Sequence, residues 1–210
     1  MLHISQFEKS YFGHLVLKID NIKIPDGIFW IKGSNGSGKS TLLKSIAGIL
    51  AFKGDIAIHN VYLKNHGVKF RKLVNFAEAE PIFPEFLTGT EMIGLFAKAK
   101  GATVGQENEL IADMGMKAYI QNPLGSYSSG MLKKLSLVLA FLGQPKLILL
   151  DEPLNTIDVE SLNVLYHWIE EKHLREKVSF LLSSHQPLDE TKLSGIKQID
   201  IKDQRLTLNF

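Results

Sequence analysis

The chain has 210 residues, which allows one domain, or one domain with a subdomain inserted in it. Lys and Arg total 24 against 22 Asp and Glu, with only three Arg, so the composition disfavours a nucleic-acid binder that recognises phosphates by charge. Hydrophobic residues make up 45% and charged residues 22%, which excludes a disordered or fibrous chain, and the lack of cysteine excludes disulfides, thiol catalysis and Cys-ligated metals.

The first residues, MLHISQFEKS, show no basic region followed by a long apolar stretch. No other window approaches 18 unbroken apolar residues. We therefore expect a cytoplasmic protein, and any role at a membrane would need a partner that supplies the spanning helices.

The first half of the chain predicts a strand, a glycine loop and a helix in that order. Alternation over residues 15–21 and the apolar run 28–31 predict two strands separated by a turn at 25–27. From Ser40 to Leu50, apolar residues recur at helical spacing. Further predicted elements are a weaker β region over 56–63, a loop over 78–84, and helices near 90–100 and 107–114.

The second half alternates helices with short apolar strands. A helix of about 12 residues follows residue 126, carries a broad apolar face and ends at 143–145. The later predicted elements are a buried strand over 147–150, a helix over 162–169, a buried strand over 178–182 and a hairpin over 199–208. This alternation predicts an α/β domain in which the helical stretch 85–145 is an inserted subdomain.

A glycine-rich loop lies between the strand 28–31 and the following helix. It matches the phosphate-binding pattern Gly, any four residues, Gly-Lys-Ser/Thr, and consists of Gly33, Ser34, Asn35, Gly36, Ser37, Gly38, Lys39 and Ser40. Its backbone N–H groups and the helix N-terminus, with about half a positive charge, suit an anion. The Lys39 ammonium would reach the outer phosphates, Ser40 would place a hydroxyl on Mg²⁺, and Thr41 would bond the innermost phosphate. The alternative, a structural glycine turn, does not account for this context.

Two carboxylates follow the apolar strand 147–150 at the sheet edge where ligands bind in α/β folds. Asp151 suits the outer shell of Mg²⁺, and Glu152 suits a general base that takes a proton from the attacking water. Strand-ending acids are often merely solvated, but the phosphate loop in the same chain favours the catalytic interpretation. His185 follows the strand 178–182 and would contact a γ-phosphate, whereas the other six histidines are interpreted as structural or surface residues.

In order and spacing, these motifs resemble those of the ATP-binding cassette (ABC) ATPases over about residues 11–208. The likeness includes the phosphate loop, Tyr127-Ser128-Ser129-Gly130-Met131 at the head of a helix, the Asp151-Glu152 strand, Asp158 and His185. The resemblance implies that Ser128 and Gly130 are presented to the γ-phosphate of ATP held by the opposite subunit, and that residues 155–158 form the D-loop at the dimer seam. It also implies that Tyr11 stacks on adenine, with a core aromatic as the alternative because Phe12 is adjacent.

The resemblance further implies a fold and a function. The expected fold is an α/β P-loop NTPase core, with a mostly parallel sheet between helices and an N-terminal antiparallel β part, in a single domain over 1–210. The expected function is ATP hydrolysis that powers transport by separate transmembrane permease subunits, with ATP and Mg²⁺ held in a homodimer or heterodimer on the inner face of the cell membrane and without nucleic acid. Residues 127–135 are most similar to the ABC-2-type exporter branch. The alternatives are a non-transport ABC ATPase and an ATP-gated binding module with weak hydrolysis.

The sequence departs from the family pattern in three places. The signature has Ser129 for a usual Gly and Met131 for the usual Gln, and the D-loop has Thr156-Ile157 for Gly-Leu. The Q-loop has Ala79 where the family has glutamine, between Glu78 and Glu80. We therefore expect Mg²⁺ to take water there or to recruit a neighbouring carboxylate, with low basal ATPase activity and a strong Mg²⁺ requirement.

Overall fold

The fold is described by a computed structural model of residues 1–210. Its N-terminal part forms an antiparallel sheet of four strands. Its strands are β1 (Leu2–Tyr11), β2 (His14–Ile24), β4 (Lys53–Ile58) and β5 (Val61–Tyr62), in the spatial order β2-β1-β4-β5. The sequence predicted parts of β2, β4 and β5 but not β1. Gln6, at a φ of 49°, interrupts β1 where its register with β4 shifts, so its apolar residues do not alternate regularly.

A six-stranded sheet forms the centre of the molecule in the order β10-β9-β3-β8-β7-β6. Its strands are β3 (Ile28–Lys32), β6 (Val74–Ala77), β7 (Leu147–Asp151), β8 (Ser179–Ser183), β9 (Lys197–Lys202) and β10 (Arg205–Asn209). All pairings are parallel except β9 with β10, which confirms the predicted α/β fold and the terminal hairpin. The carboxyl ends of five strands therefore meet at one edge of this sheet.

Six α-helices complete the fold: α1 (Lys39–Ile46), α2 (Gly67–Leu73), α3 (Gly89–Lys100), α4 (Gln106–Asp113), α5 (Ser129–Phe141) and α6 (Val159–Glu176). Side-chain caps fix three of their starts, since Thr88, Ser128 and Asp158 each accept a hydrogen bond from a backbone amide of the first turn. Helix α1 ends before the predicted apolar run does, because Gly48 turns the chain at a φ of 73°. None of the six helices combines the length and the apolar character needed to cross a lipid bilayer.

The central sheet is covered by hydrophobic side chains on both faces. Along β3, Ile28 and Trp30 join one buried cluster, whereas Phe29 and Ile31 join the other. The first cluster packs against α5 and α6, and the second against α1 and the antiparallel sheet. A strand with apolar side chains on both faces reads as an unbroken apolar run, which is why β3, β7 and β8 were predictable.

Residues 67–77 were not predicted as regular structure. They form α2 and β6, and α2 has seven residues of which only Phe70 is buried. Strand β6 has only four residues, too few for a periodicity to stand out. Yet β6 pairs with β7, so helices α3 to α5 form an excursion between two neighbouring strands of the sheet.

Candidate active site at the edge of the parallel sheet

The predicted phosphate loop connects β3 to α1 and turns on a left-handed glycine. Gly38 has a φ of 103°, and a Cβ at this position would lie 3.1 Å from a Val16 methyl carbon. The Ser37 amide donates to the Ser34 carbonyl at 3.1 Å, and the Ser37 hydroxyl is buried without a hydrogen-bond partner. The loop thus offers a free hydroxyl beside the amides of a helix N-terminus, an arrangement that suits an anion.

Lys39 is the charged group of this loop. Its Nζ donates to the carbonyl oxygens of Gly33 at 2.9 Å and Ser34 at 3.2 Å, and the residue is 6% exposed. Burial lowers the pKa of Lys39, against the attraction of Glu152 and Asp151. Two neutral carbonyls are weaker partners than a phosphate, so the ammonium is available to an anionic ligand. Asn35, Gly36 and Thr41 lie in the same loop and first turn, and their proposed phosphate contacts stay predictions.

Asp151, the last residue of β7, is joined to the loop through a hydroxyl network. Ser40 Oγ donates to Asp151 Oδ1 at 3.1 Å, and Ser183 Oγ at the end of β8 donates to the same oxygen at 2.6 Å. The hydroxyl and carboxylate oxygens of this network are hard ligands, the type that Mg²⁺ prefers. A Mg²⁺ ion held partly by substrate phosphates needs few protein ligands. No group of three or more His, Asp or Glu could hold a metal ion by itself. A role for Ser183 was not predicted, because its contact with Asp151 joins residues that are 32 positions apart in the sequence.

Glu152 adopts a strained backbone conformation beside this network. Its φ of 44° is unusual for a residue other than glycine, and its amide donates to the Ser183 carbonyl at 3.1 Å and hydroxyl at 3.2 Å. The Oε2 atom accepts a hydrogen bond from the His185 amide at 3.2 Å, and Asn155 Nδ2 lies 3.5 Å away. The Oε1 atom lies 3.1 Å from His185 Nε2 with no aligned donor. The structure thus brings the predicted base, His185 and the predicted D-loop together.

Ser128 and Gly130 lie at the start of α5 and contact the predicted D-loop. The Met131 amide donates to Ser128 Oγ at 3.2 Å, and the Met131 sulfur lies 3.5 Å from the Ser128 amide, so methionine completes the cap. A Cβ on Gly130 would lie 2.9 Å from the Thr156 carbonyl oxygen, which makes glycine necessary at this close approach. No hydrogen bond joins Ser128 to Lys39, Asp151 or Glu152 of the same chain.

An ion pair also joins α5 to the D-loop. Lys134 Nζ lies 2.7 Å from Asp158 Oδ2. The hydrogen bond from Lys134 holds the pKa of Asp158 well below its usual range, with a further contribution from the Ser161 amide. The head of α5 and the D-loop are therefore held as one surface.

The loop after β6 contains Ala79, at the predicted Q-loop position. Glu78 Oε2 lies 3.1 Å from Lys44 Nζ of α1, so this carboxylate already has a cationic partner. The backbone carbonyls of Glu78 and Ala79 accept hydrogen bonds from Lys133 of α5 at 2.7 and 3.3 Å. Lys133 also donates to the Asp151 carbonyl at 2.9 Å. A role for Lys133 was not predicted from the sequence, where it is one of two adjacent lysines in a largely apolar part of α5.

The two aromatic residues at the β1–β2 turn differ in exposure. Tyr11, predicted to stack on adenine, is 39% exposed, and Lys9 Nζ lies 4.7 Å above its ring centroid. Phe12 is 102% exposed at a φ of 50°. Neither ring belongs to the core, which excludes the alternative that Tyr11 is a core aromatic residue. Of the two residues, Phe12 is the more exposed.

Comparisons with known proteins identify the same family that the sequence motifs indicated. Residues 18–155 match the model of the family described as ABC transporter. The chain is 30% identical over 191 residues to the uncharacterized ABC transporter ATP-binding protein YdbJ of Bacillus subtilis (strain 168), with 88% of this chain covered. It is 32% identical to the cytochrome c biogenesis ATP-binding export protein CcmA of Legionella pneumophila, over 90% of this chain and 94% of the relative.

The chain spans 61% of the length of YdbJ. Among solved structures, a dimeric ATP-binding cassette in a post-hydrolysis state, bound to ADP and Pi, superposes with a TM-score of 0.82 at 21% identity. The superposition covers 100% of both chains and demonstrates that the two proteins share a fold.

Proposed function

Because this chain belongs to the ABC transporter family, we propose that it is an ATP-binding and ATP-hydrolysing subunit that powers transport through separate membrane-spanning subunits. The observation that carries the proposal is the meeting of three groups at one sheet edge. These groups are the phosphate loop with Lys39, the Ser40–Asp151 pair, and the Glu152–His185 pair. A phosphate cradle beside a positioned base is the arrangement that ATP hydrolysis requires.

The proposed mechanism assigns one task to each group. Lys39 binds the outer phosphates, and the loop amides surround them. Ser40 and Asp151 would hold Mg²⁺, which when bound neutralises developing charge on the phosphates. Glu152 takes a proton from the attacking water, and its contacts with the His185 amide and Asn155 keep its carboxylate oriented. His185, whose side chain is 45% exposed, reaches from this pair toward the γ-phosphate.

Ser128 and Gly130 would complete the site of a second subunit. Ser128 caps α5, and the backbone amides at the start of this helix would face a nucleotide held by another chain. The solved cassette of the same fold is a dimer bound to ADP and Pi. We therefore propose a head-to-tail pair, as a homodimer or heterodimer, with two ATP molecules at the seam.

The domain organisation supports this assignment. Strands β6 and β7 are paired neighbours although about 70 residues separate them, so residues 85–145 leave the sheet and return to it. We propose that residues 1–210 contain a single ATPase domain with this stretch as its helical subdomain.

The membrane partner would contact the surface beside the loop 78–84. Ile82 is 93% exposed and Phe86 is 81% exposed, next to the loop that Lys133 and Lys44 anchor. Exposed apolar side chains this close together favour a protein contact. Attachment through such a partner would place the chain at the inner face of the cell membrane. The export function in the name of CcmA and the motif at 127–131 favour the exporter branch.

One observation favours a second candidate, an ATP-gated binding module with weak hydrolysis. Ala79 offers no side-chain oxygen, and Glu78 is already paired with Lys44. Recruitment of Glu78 by Mg²⁺ would break this pair, so water is the favoured replacement ligand. Measured ATP turnover separates an efficient hydrolase from a gated module.

Lys39→Ala tests the assignment of the phosphate loop. The variant is expected to lose ATP binding, because three donors and a full charge leave a site built around phosphate. Fluorescence anisotropy with a labelled ATP measures it, and Lys98→Ala, at an exposed position of α3, is the control. An ATP affinity equal to that of the unsubstituted chain would contradict the assignment.

A further inference from the structure

Lys133 is the most deeply buried charged residue in the chain. It is 0% exposed and lies in the second turn of α5. Its three hydrogen bonds go to the backbone carbonyls of Glu78, Ala79 and Asp151. An ammonium has three donors and no acceptor, so every donor of Lys133 is used.

A buried charge is costly, and no carboxylate pairs directly with Lys133. A leucine or methionine at this position would avoid the cost of a buried charge, although it would leave the three carbonyls without their donor. The ammonium instead lies where the loop after β6 meets the end of β7. Its position therefore points to a role in the site rather than in packing alone.

The three carbonyls belong to two segments that meet the active site. Glu78 and Ala79 form the loop after β6, and Asp151 ends β7 directly before Glu152. Because Ala79 has only a methyl group, this loop has no side chain at that position to reach the site. The backbone of the loop is connected to the end of β7 through the ammonium of Lys133 instead.

Two lysines hold the same loop from opposite sides. Lys44 of α1 binds the carboxylate of Glu78, and Lys133 of α5 binds its carbonyl oxygen. Glu78 is thus clamped between the helix that follows the phosphate loop and the helix that begins with Ser128. A movement of α5 would be transmitted to Asp151 and Glu152 through Lys133.

We propose that Lys133 is a positioning residue of the hydrolysis site, which fixes the loop 78–80 against the end of β7 and so holds Asp151 and Glu152 in place. The inference rests on the proposed ATPase function. Lys133 touches backbone only and does not reach the phosphate loop. Its loss is expected to lower kcat and to leave the KM for ATP and ATP binding nearly unchanged.

The test compares Lys133→Met with Lys100→Met. Lys100 is a second buried lysine that donates to backbone carbonyls, those of Arg71 at 2.6 Å and Val74 at 2.8 Å, but it lies on α3 away from the carboxylates. Both variants are expected to lower Tm. Only Lys133→Met is expected to lower kcat, by roughly 10- to 100-fold, since a displacement of about 1 Å in a catalytic group has effects of this size. Lys133→Arg, which keeps the charge and the donors, is expected to restore most of the lost kcat.

Equal kcat in Lys133→Met and the unsubstituted chain would overturn the proposal, as would an equal loss in both methionine variants. If Lys133→Met does not fold, Lys133→Gln replaces it as the neutral variant in the same comparison. A rise in KM or a loss of ATP binding in place of the fall in kcat would also overturn it. A folded, unsubstituted chain without any ATP turnover would overturn the proposed function itself, which distinguishes the two failures.

Discussion

The aromatic side chains at positions 11 and 12 illustrate what a residue-level motif can and cannot predict. The sequence predicted an aromatic platform for adenine before the phosphate loop, and it named Tyr11 on resemblance alone. In the structure Lys9 Nζ lies over the Tyr11 ring, which is partly exposed, whereas Phe12 is fully exposed. The choice depends on the turn between β1 and β2, where Phe12 takes a left-handed φ.

Phe12→Ala is therefore expected to weaken ATP binding more than Tyr11→Ala. Stacking of a base on an aromatic ring contributes about 1–3 kcal/mol, so the loss corresponds to a Kd raised by roughly 5- to 150-fold. Isothermal titration calorimetry with ATP measures both variants. A larger loss in Tyr11→Ala would return the platform to Tyr11.

At the residue scale, site residues within short sequence motifs were predictable, and contacts between residues far apart in the sequence were not. Lys39, Ser40, Asp151, Glu152 and His185 could be proposed as site residues because each belongs to a short motif next to a strand. The contacts of Ser183 and Lys133 with Asp151 join residues from different elements. Only the packing of the sheet brings those elements together, so a sequence pattern does not reveal them.

At the scale of elements, the close approach of α5 to the D-loop is sensitive to substitution. Gly130→Ala would place a Cβ 2.9 Å from the Thr156 carbonyl oxygen and displace the D-loop. We expect this variant to lose at least about 10-fold in ATPase rate through misplacement of Asn155 and Glu152, with ATP affinity nearly unchanged.

The matched control is Gly94→Ala, since Gly94 lies inside α3 and a Cβ there meets no atom within 4 Å. It is expected to stabilise the protein by about 0.5–1 kcal/mol without changing the ATPase rate. Steady-state kinetics and urea unfolding give both quantities for both variants. Equal ATPase rates for the two variants would show that the approach of α5 to the D-loop has no bearing on catalysis.

The junction of α3 with α2 and β6 carries a pH dependence through Lys100. Burial lowers the pKa of Lys100 from 10.5 to about 8, and nearby Arg71 adds to the effect. Between these two values the unfolded chain holds a proton that the folded chain lacks, so stability should rise with pH in this window. The free energy of unfolding of the unsubstituted chain, taken relative to Lys100→Met, is expected to increase from pH 8 to pH 10. A flat or falling difference in urea titrations would contradict this origin of the shift.

Elements with strong local signals were predicted, and short ones were not. Strands β3, β7 and β8 are unbroken apolar runs because helices or a second sheet cover both faces of the central sheet. Strand β6, with four residues, is recognisable only through its pairing with β7. The sequence therefore predicted a loop after β6 but did not predict its hydrogen bonds with Lys133.

At the scale of the whole molecule, we propose that the chain presents half of two different sites. Lys39, Asp151 and Glu152 lie at the carboxyl edge of the sheet, whereas Ser128 and Gly130 lie at the start of α5. A single chain does not bring these two groups into hydrogen-bond contact. The proposed head-to-tail pair would join each group to its complement on the second subunit.

The most direct test of this account is Glu152→Gln with ATP and Mg²⁺. The variant retains the phosphate loop and loses the base, so ATP should remain intact and hold two subunits together. Glu109→Gln, at an exposed position of α4, is the control. Size-exclusion chromatography with light scattering measures the mass, and the nucleotide is extracted and identified. The account predicts an ATP-containing dimer for Glu152→Gln and hydrolysis with dissociation for the control; a Glu152→Gln variant that stays monomeric with ATP, or that hydrolyses ATP as fast as the control, would contradict it.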